Sequence, residues 1–236
     1  MSPPGLDGFL SSLKVYYDSG LMSDAVITCN DNVFKTHRVL LSAHSKYFAT
    51  ALNGLWMETT QSKIEIKDFE TNVVEAMLSF IYSFDYDAAS DSSSMVFDAQ
   101  VYQIADKYDI PALKICSKEK FASAITAGWN TDDFPVAVSI VYETTPLEDR
   151  GLRDLVVDIA QKNIDTLVGR DGFCELLRKT ADFAADLILF LCGGQPNTEK
   201  FRCPYCSHVL RGAYAQGTFT CPKCNRRLSN WNSYRI

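Results

Sequence analysis

Residues 23–52, SDAVITCNDNVFKTHRVLLSAHSKYFATAL, contain the pattern that decides the fold. The first half predicts two short strands joined at Asn30-Asp31-Asn32, because Asn and Asp tolerate the left-handed backbone of a tight turn. The second half has helical spacing and predicts one or two short helices that end at Gly54, where glycine can take a left-handed C-cap. A hairpin followed directly by short helices is therefore the centre of the predicted domain.

The flanking sequence adds helices on both sides of this hairpin. Upstream, apolar residues recur at helical spacing between residues 6 and 17. Downstream, residues 62–69 alternate charged and apolar side chains and predict a half-buried strand. Further helices are predicted near 73–84, 95–125, 132–143, 147–168 and 171–192. This order predicts an α+β fold in which helices cap a small sheet.

The charge of the chain is unevenly distributed. Residues 200–236 contain seven basic residues and no Asp or Glu, whereas residues 1–199 hold 16 basic and 29 acidic residues, a formal net charge of −13. The most apolar run, residues 183–192, is far shorter than the ~20 residues that a membrane helix needs. The first residues have neither the basic nor the apolar segment of a secretory signal. We therefore expect an intracellular protein, in the cytoplasm or nucleus, with an acidic body and a basic C-terminal segment and no membrane partner.

Residues 20–83 resemble a BTB/POZ domain. The resemblance rests on the 23–52 stretch, on KIEIKD and VVEAMLSFIY, and on the pattern F-x-x-H-[KR]-x-x-L-x-x-x-S-x-x-F between Phe34 and Phe48. It implies a protein-interaction module that forms homodimers through its first helix. The dimer contacts implied are Leu6, Phe9, Leu10, Leu13 and Tyr17, together with the charged pair Asp24 and Arg38. The alternatives are that the helical stripe packs on the domain's own core and that Asp24 and Arg38 form an ordinary surface ion pair.

Some BTB/POZ proteins connect substrates to a cullin scaffold in ubiquitin ligases. Those adaptors often carry an apolar-x-Glu triplet after the third helix, and Trp56-Met57-Glu58 stands at that position. The resemblance thus makes Trp56 and Glu58 candidate cullin contacts. The alternative is a loop tryptophan that packs on the sheet.

Half of the eight cysteines lie in two Cys-Pro-x-Cys pairs near the C-terminus, Cys203 with Cys206 and Cys221 with Cys224. Two such pairs at this separation predict a four-thiolate tetrahedral metal site in a small β-rich ribbon. A segment this short cannot build a sufficient apolar core, so the metal would supply folding free energy. We predict structural zinc, with rubredoxin-like iron and a redox dithiol as alternatives. His208 is a further candidate ligand that a complete four-thiolate set does not need.

The composition of the ribbon suggests a partner. Arginine and lysine alternate with aromatic residues, a mixture that suits phosphates and unpaired bases. The candidate nucleic-acid contacts are Arg211, Lys223, Arg226 and Arg227, and the candidate stacking residues are Tyr205, Tyr214, Phe219 and Trp231. A protein partner, or the acidic body of the same chain, is the alternative.

These features predict a non-enzymatic adaptor in four segments: 1–125 a BTB/POZ domain, 126–192 an all-helical extension, 193–199 a linker, and 200–236 a zinc-bound ribbon. The runner-up is a nucleic-acid-binding transcriptional regulator that uses the basic ribbon. No phosphate-binding loop, serine nucleophile motif or carboxylate constellation indicates an enzyme, which leaves Cys29 with His37 as the remaining catalytic alternative.

Overall fold

A computed structural model of the protein describes residues 5–53, 62–87, 94–192, 200–211, 218–229 and 231–235. The chain divides into two compact units, Met1–Val156 and Val157–Ile236. The four segment boundaries predicted from the sequence remain predictions. No helix of the described ranges is long and apolar enough to cross a membrane.

The first unit combines a small sheet with helices, which confirms the predicted α+β class. Its elements in chain order, together with the helix that continues into the second unit, are α1 Leu6–Ser19, β1 Ala25–Cys29, β2 Asn32–Thr36, α2 Arg38–His44, α3 Lys46–Asn53, β3 Lys63–Ile66, α4 Thr71–Ser83, α5 Ser94–Lys107, α6 Pro111–Gly128, α7 Asp133–Thr144 and α8 Arg150–Lys162.

The sheet has the strand order β2-β1-β3. Strands β1 and β2 are antiparallel, with Ala25 opposite Thr36 and Cys29 opposite Asn32. Asn30 adopts a φ of 50°, as the sequence predicted for this turn. Strand β3 pairs with β1 in parallel, with Ile27 opposite Ile64. The chain must therefore cross over between β1 and β3, and it does so through α2 and α3.

The core lies between this sheet and the helices that cover it. Ile27 of β1 and Leu41 of α2 have no solvent exposure, and neither do Phe48 of α3 and Met77 of α4. Burial of a side chain of this size is worth about 1.5–3 kcal/mol. The hairpin and helices of the 23–52 stretch thus supply both the sheet and much of its cover.

The helices that follow pack on α5. Helix α5 contacts both α6 and α7, and α7 buries Phe134 and Val138 completely. Beside them, the Tyr102 hydroxyl donates to Asp149 at 2.8 Å, and the Lys114 ammonium pairs with the same carboxylate at 2.7 Å. These contacts attach the first part of the predicted extension to the sheet-containing domain. Both regions belong to the first compact unit.

The second unit contains short elements. They are α9 Ile164–Leu167, α10 Asp171–Lys179, α11 Ala181–Leu191, β4 Lys200–Arg202, β5 Val209–Arg211, β6 Phe219–Thr220, β7 Arg227–Leu228 and a 3-10 helix at Trp231–Tyr234.

Two long helices predicted from periodicity are each interrupted. The 147–168 helix ends at Asn163, whose side-chain amide donates to the Ile159 carbonyl at 2.8 Å and so competes with the helical backbone. The 171–192 helix breaks at Thr180, whose backbone leaves the helical conformation at φ −110° and ψ 81°. The Thr180 N–H closes α10, and the Thr180 carbonyl accepts the first bond of α11. The apolar residues keep their helical spacing across both breaks, so periodicity alone could not predict where the helices end.

Candidate metal centre and interaction surfaces

Two short hairpins form the C-terminal ribbon, and a Cys-Pro-x-Cys turn joins the two strands of each. Strand β4 pairs with β5 in antiparallel fashion, and β6 pairs with β7 in the same way. Residues 203–208 connect the strands of the first hairpin and form the first knuckle. Residues 221–226 connect those of the second and form the second knuckle. The strands therefore bring each cysteine pair into a turn at a hairpin end.

The two knuckles have the same backbone hydrogen bonds. In the first, the Ser207 N–H donates to the Cys203 carbonyl at 2.9 Å, and the Cys203 N–H donates to the His208 carbonyl at 2.9 Å. The equivalent bonds of the second knuckle measure 2.8 and 2.9 Å. Ser207 and its counterpart Asn225 have φ values of 54° and 55°, a left-handed conformation that Asn tolerates well. The repeated sequence thus produces a repeated turn.

The four thiols of the knuckles meet at one point. Their Sγ atoms all lie within 4.8 Å of one another, and two of the pairs, Cys203 with Cys224 and Cys206 with Cys221, are 3.7 Å apart. A tetrahedral centre with metal–sulfur bonds of ~2.3 Å has sulfur–sulfur edges of ~3.8 Å. The four cysteines therefore fit a tetrahedral thiolate site. His208 is not among the grouped ligand atoms of the described residues.

The electrostatics of the cluster favour a thiolate at Cys221. Burial raises the pKa of this thiol, but hydrogen bonds from the backbone N–H groups of Cys224 and Lys223 and from neighbouring thiols outweigh burial and lower the pKa to about 7. Thiolates are the metal-binding form of cysteine. The knuckle backbone therefore prepares at least one ligand for a cation.

A small apolar cluster supports the site. Trp231 has no solvent exposure, and it packs with Phe201 and Leu210 beside the cysteines. Its indole N–H donates to the Phe219 carbonyl at 3.3 Å. Trp231 is enclosed in the ribbon's core, so the prediction that it stacks on bases is wrong, and the half-buried Phe219 packs against the same core. Their aromatic character alone could not distinguish a core residue from an exposed one.

A different surface is formed at α1. Phe9 is 59% exposed and Tyr16, seven residues later on the same side of the helix, is 39% exposed. Just beyond the helix, Leu21 is 59% and Met22 is 78% exposed. We call these four residues the α1 face. Sequence reasoning missed Leu21 and Met22, because they lie outside the helical stripe.

The predicted dimer contacts divide between this face and the interior. Leu13 and Tyr17 pack against the domain's own core, and the Tyr17 ring stacks on Tyr82 at 4.5 Å between centroids. Leu6 and Leu10 are half-buried at the boundary. Helix α1 therefore packs against the domain's core along one side and is exposed to solvent along the other.

Asp24 and Arg38 are neighbours in the structure. The Asp24 carboxylate accepts the backbone N–H of Arg38 at 2.8 Å, and the Arg38 guanidinium donates to the Leu52 carbonyl. The carboxylate thus receives a peptide N–H at the beginning of α2, where a negative charge is favoured.

Cys29 and His37 are at opposite ends of the β1–β2 hairpin. The Cys29 Sγ lies 3.2 Å from the Phe69 carbonyl and is fully buried. The His37 ring contacts the Tyr82 hydroxyl and the Leu21 carbonyl instead. This geometry separates the thiol from the imidazole, so Cys29 and His37 do not form a catalytic pair.

Some predicted features lie outside the described residues. These are the candidate cullin contacts Trp56 and Glu58, the linker 193–199 and Tyr214. The backbone of Arg211 pairs with Lys200 in the first ribbon hairpin, and its side chain is not described. Lys223, Arg226 and Arg227 are exposed on the second knuckle and β7.

The family model of the BTB/POZ domain matches residues 13–123. Residues 13–123 are a BTB/POZ domain. The resemblance noted for residues 20–83 is therefore confirmed, and the match extends from within α1 to within α6. The C-terminal ribbon lies outside the matched residues.

Curated relatives agree with the BTB/POZ domain. The chain is 26% identical to mouse Kelch-like protein 7 over 47% of its length and 18% of the relative. Human Kelch-like protein 26 is 28% identical over 52% of this chain and 19% of that protein. BTB/POZ and MATH domain-containing protein 4 of Arabidopsis thaliana is 25% identical over 72% of this chain and 37% of that protein. The matches thus span well under half of each relative.

Solved structures of two BTB domains also match. That of zebrafish PATZ1 has 16% identity and a TM-score of 0.41, and that of human gigaxonin has 23% identity and a TM-score of 0.40. Each match covers 50% of this chain and 93% of the solved domain.

Proposed function

We propose that this protein is a non-enzymatic adaptor that works as a homodimer, with a zinc-bound ribbon that recruits another macromolecule. The observation that carries the proposal is the α1 face, which presents exposed apolar side chains from Phe9 to Met22 on a BTB/POZ domain. An exposed apolar patch on a protein surface often marks an interface with another protein.

The occupant we propose for the α1 face is the same face of a second copy. Twofold symmetry makes such a contact self-complementary, so one patch can serve both subunits. Aromatic and methionine side chains are enriched in the buried centres of interfaces, and this face supplies Phe9, Tyr16 and Met22. Asp24 and Arg38 lie near the start of α2 and would border the contact.

We propose zinc as the structural metal of the ribbon. The support is the convergence of four cysteine Sγ atoms within 4.8 Å and the small size of the apolar cluster around Trp231. A four-thiolate set closes the coordination shell and leaves no position for a catalytic water. When bound, zinc would hold the two knuckles together and stabilise the ribbon, while the protein's own residues form its outer surface.

A more specific version of the proposed adaptor role is that the protein brings substrates to a cullin-based ubiquitin ligase. It rests on the family resemblance and on Trp56 and Glu58 in the sequence. We propose the cytoplasm or nucleus as the location, because a cullin-type or nuclear partner would be found there.

Two measurements on the purified full chain test the proposal. Light scattering should give the mass of a dimer, and elemental analysis of protein prepared without chelators should give one zinc per chain. A monomer at micromolar concentration would contradict the dimer. Zinc well below one equivalent would contradict the metal.

A further inference from the structure

The ribbon places an arginine against an exposed tyrosine. The guanidinium carbon of Arg226 lies 4.5 Å from the centre of the Tyr205 ring, and Tyr205 remains 55% exposed. Tyr205 belongs to the first knuckle and Arg226 to the second. The pair therefore forms only when both knuckles are folded around the thiol cluster.

The segment that carries this pair is basic. Lys223 of the second knuckle is exposed, as are Arg202 of β4 and Arg227 of β7. No Asp or Glu side chain exists in residues 200–236 to neutralise them. Each of these residues is within a few positions of one of the four clustered cysteines, so the positive charges gather on one small module.

We propose that this surface binds single-stranded nucleic acid, with Tyr205 as a stacking platform for a base and Arg226 with Lys223 as phosphate contacts. This inference deepens the proposed function, on which it rests, by naming the macromolecule that the ribbon recruits. An exposed ring supplies a face on which any base can stack, and cations beside it follow the backbone phosphates. The guanidinium that lies against the ring is attracted to it by a cation–π interaction and places a positive charge beside the stacking platform.

An acidic protein segment is the competing partner, and the acidic residues 1–199 of the chain could supply one. Carboxylates would use the cations but would gain little from an exposed aromatic ring. The exposed Tyr205 therefore distinguishes the two partners. Duplexes are disfavoured for the same reason, because their bases are stacked on one another and not available to the ring.

The experiment uses the zinc-loaded full chain and fluorescein-labelled oligo-uridine, oligo-thymidine and a duplex of equal length. Tyr205→Ala should weaken single-strand binding about 5- to 150-fold, the range of one base-stacking contact. Tyr205→Phe should bind nearly as well as wild type.

Arg226→Gln should weaken binding and reduce the salt dependence by about 0.7 in the slope of log K against log salt. The matched control is Lys46→Gln, which removes an exposed charge from α3 and should leave binding unchanged.

The outcomes separate this inference from the proposed function. The inference is overturned if wild type shows no salt-sensitive binding to either single strand, if Tyr205→Ala binds as wild type does, or if polyglutamate or the duplex competes equally well. The relative affinities of the two single strands show whether RNA or DNA is the source of the ligand. Zinc content and mass are measured on the same samples. Absence of single-strand binding by wild type with zinc and dimer intact overturns this inference alone, whereas a metal-free or monomeric wild type contradicts the proposed function.

Discussion

The hydroxyl of Tyr82 lies 2.7 Å from Nδ1 of His37 and accepts the backbone N–H of His37 at 3.0 Å. The other ring nitrogen of His37 is 2.9 Å from the Leu21 carbonyl and must donate its proton to it. Nδ1 then accepts the tyrosine proton. One histidine thus connects α4, the start of α2 and the turn that carries Leu21 and Met22 of the α1 face.

Removal of the Tyr82 hydroxyl should weaken this connection. Desolvation raises the pKa of Tyr82 to about 12, so the hydroxyl remains a neutral donor at physiological pH. Tyr82→Phe leaves a half-buried N–H and an imidazole nitrogen without this partner, and we expect the free energy of unfolding to fall by about 1–3 kcal/mol in urea titrations. The control Tyr47→Phe alters an exposed tyrosine and should change stability by less than about 0.5 kcal/mol. Equal effects of the two variants would contradict a specific role for Tyr82.

Charges on the α1 face should separate the proposed dimer. Phe9→Asp with Met22→Asp places carboxylates at two exposed positions, so each subunit should still fold while the mass in light scattering falls to that of a monomer. Leu13 is avoided because it packs on the core. Ile115→Asp, at an equally exposed apolar position of α6, should remain dimeric. An unchanged mass for the double variant would remove α1 from the interface.

Loss of any one of the four knuckle cysteines should release the metal. Cys206→Ser removes one of four ligands, so zinc should fall well below one equivalent and the ribbon residues 200–228 should unfold. The BTB/POZ domain has its own core and should keep its melting transition. Cys192→Ser is the matched control, because Cys192 is exposed and outside the cluster, and it should keep its zinc. A single melt of the whole chain in Cys206→Ser would contradict this modularity.

Asp98 should make stability depend on pH. Its carboxyl accepts the Tyr86 hydroxyl at 2.7 Å, and desolvation raises its pKa to about 6, above the ~3.9 expected in the unfolded chain. The folded state therefore binds the proton more tightly, and this group's contribution to stability falls as pH rises from about 4 to about 6. Asp98→Asn should remove that decrease in urea titrations across this range. Glu119→Gln, at an exposed carboxylate of α6, should retain it, and a wild-type pH profile for Asp98→Asn would contradict the assignment.

The proposed cullin-adaptor role depends on Trp56 and Glu58. If Trp56 is an anchor and Glu58 a charged contact, Trp56→Ala with Glu58→Lys should abolish co-purification of a cullin from cell lysate and leave the dimer mass unchanged. If the wild-type protein captures no cullin, the proposed cullin-adaptor role is contradicted.

The sequence by itself determined the local features of this protein. Strand pairing followed from the Asn30-Asp31 turn, the BTB/POZ resemblance followed from the pattern between Phe34 and Phe48, and the thiol cluster followed from the spacing of two Cys-Pro-x-Cys pairs. Each of these features depends on residues close together in the chain or on a sequence motif that occurs twice, so residue type and spacing are sufficient to predict it.

Only the tertiary structure decided which side chains remain at the surface. Tyr205 and Trp231 look alike as aromatics beside basic residues, but one is 55% exposed under Arg226 and the other is fully buried among Phe201 and Leu210. Similarly, Leu13 packs inward and Phe9 faces outward on the same helix. Burial is a property of contacts between distant segments, whereas periodicity records only that a residue is apolar, and this is why the exposed surfaces could not be assigned from the sequence.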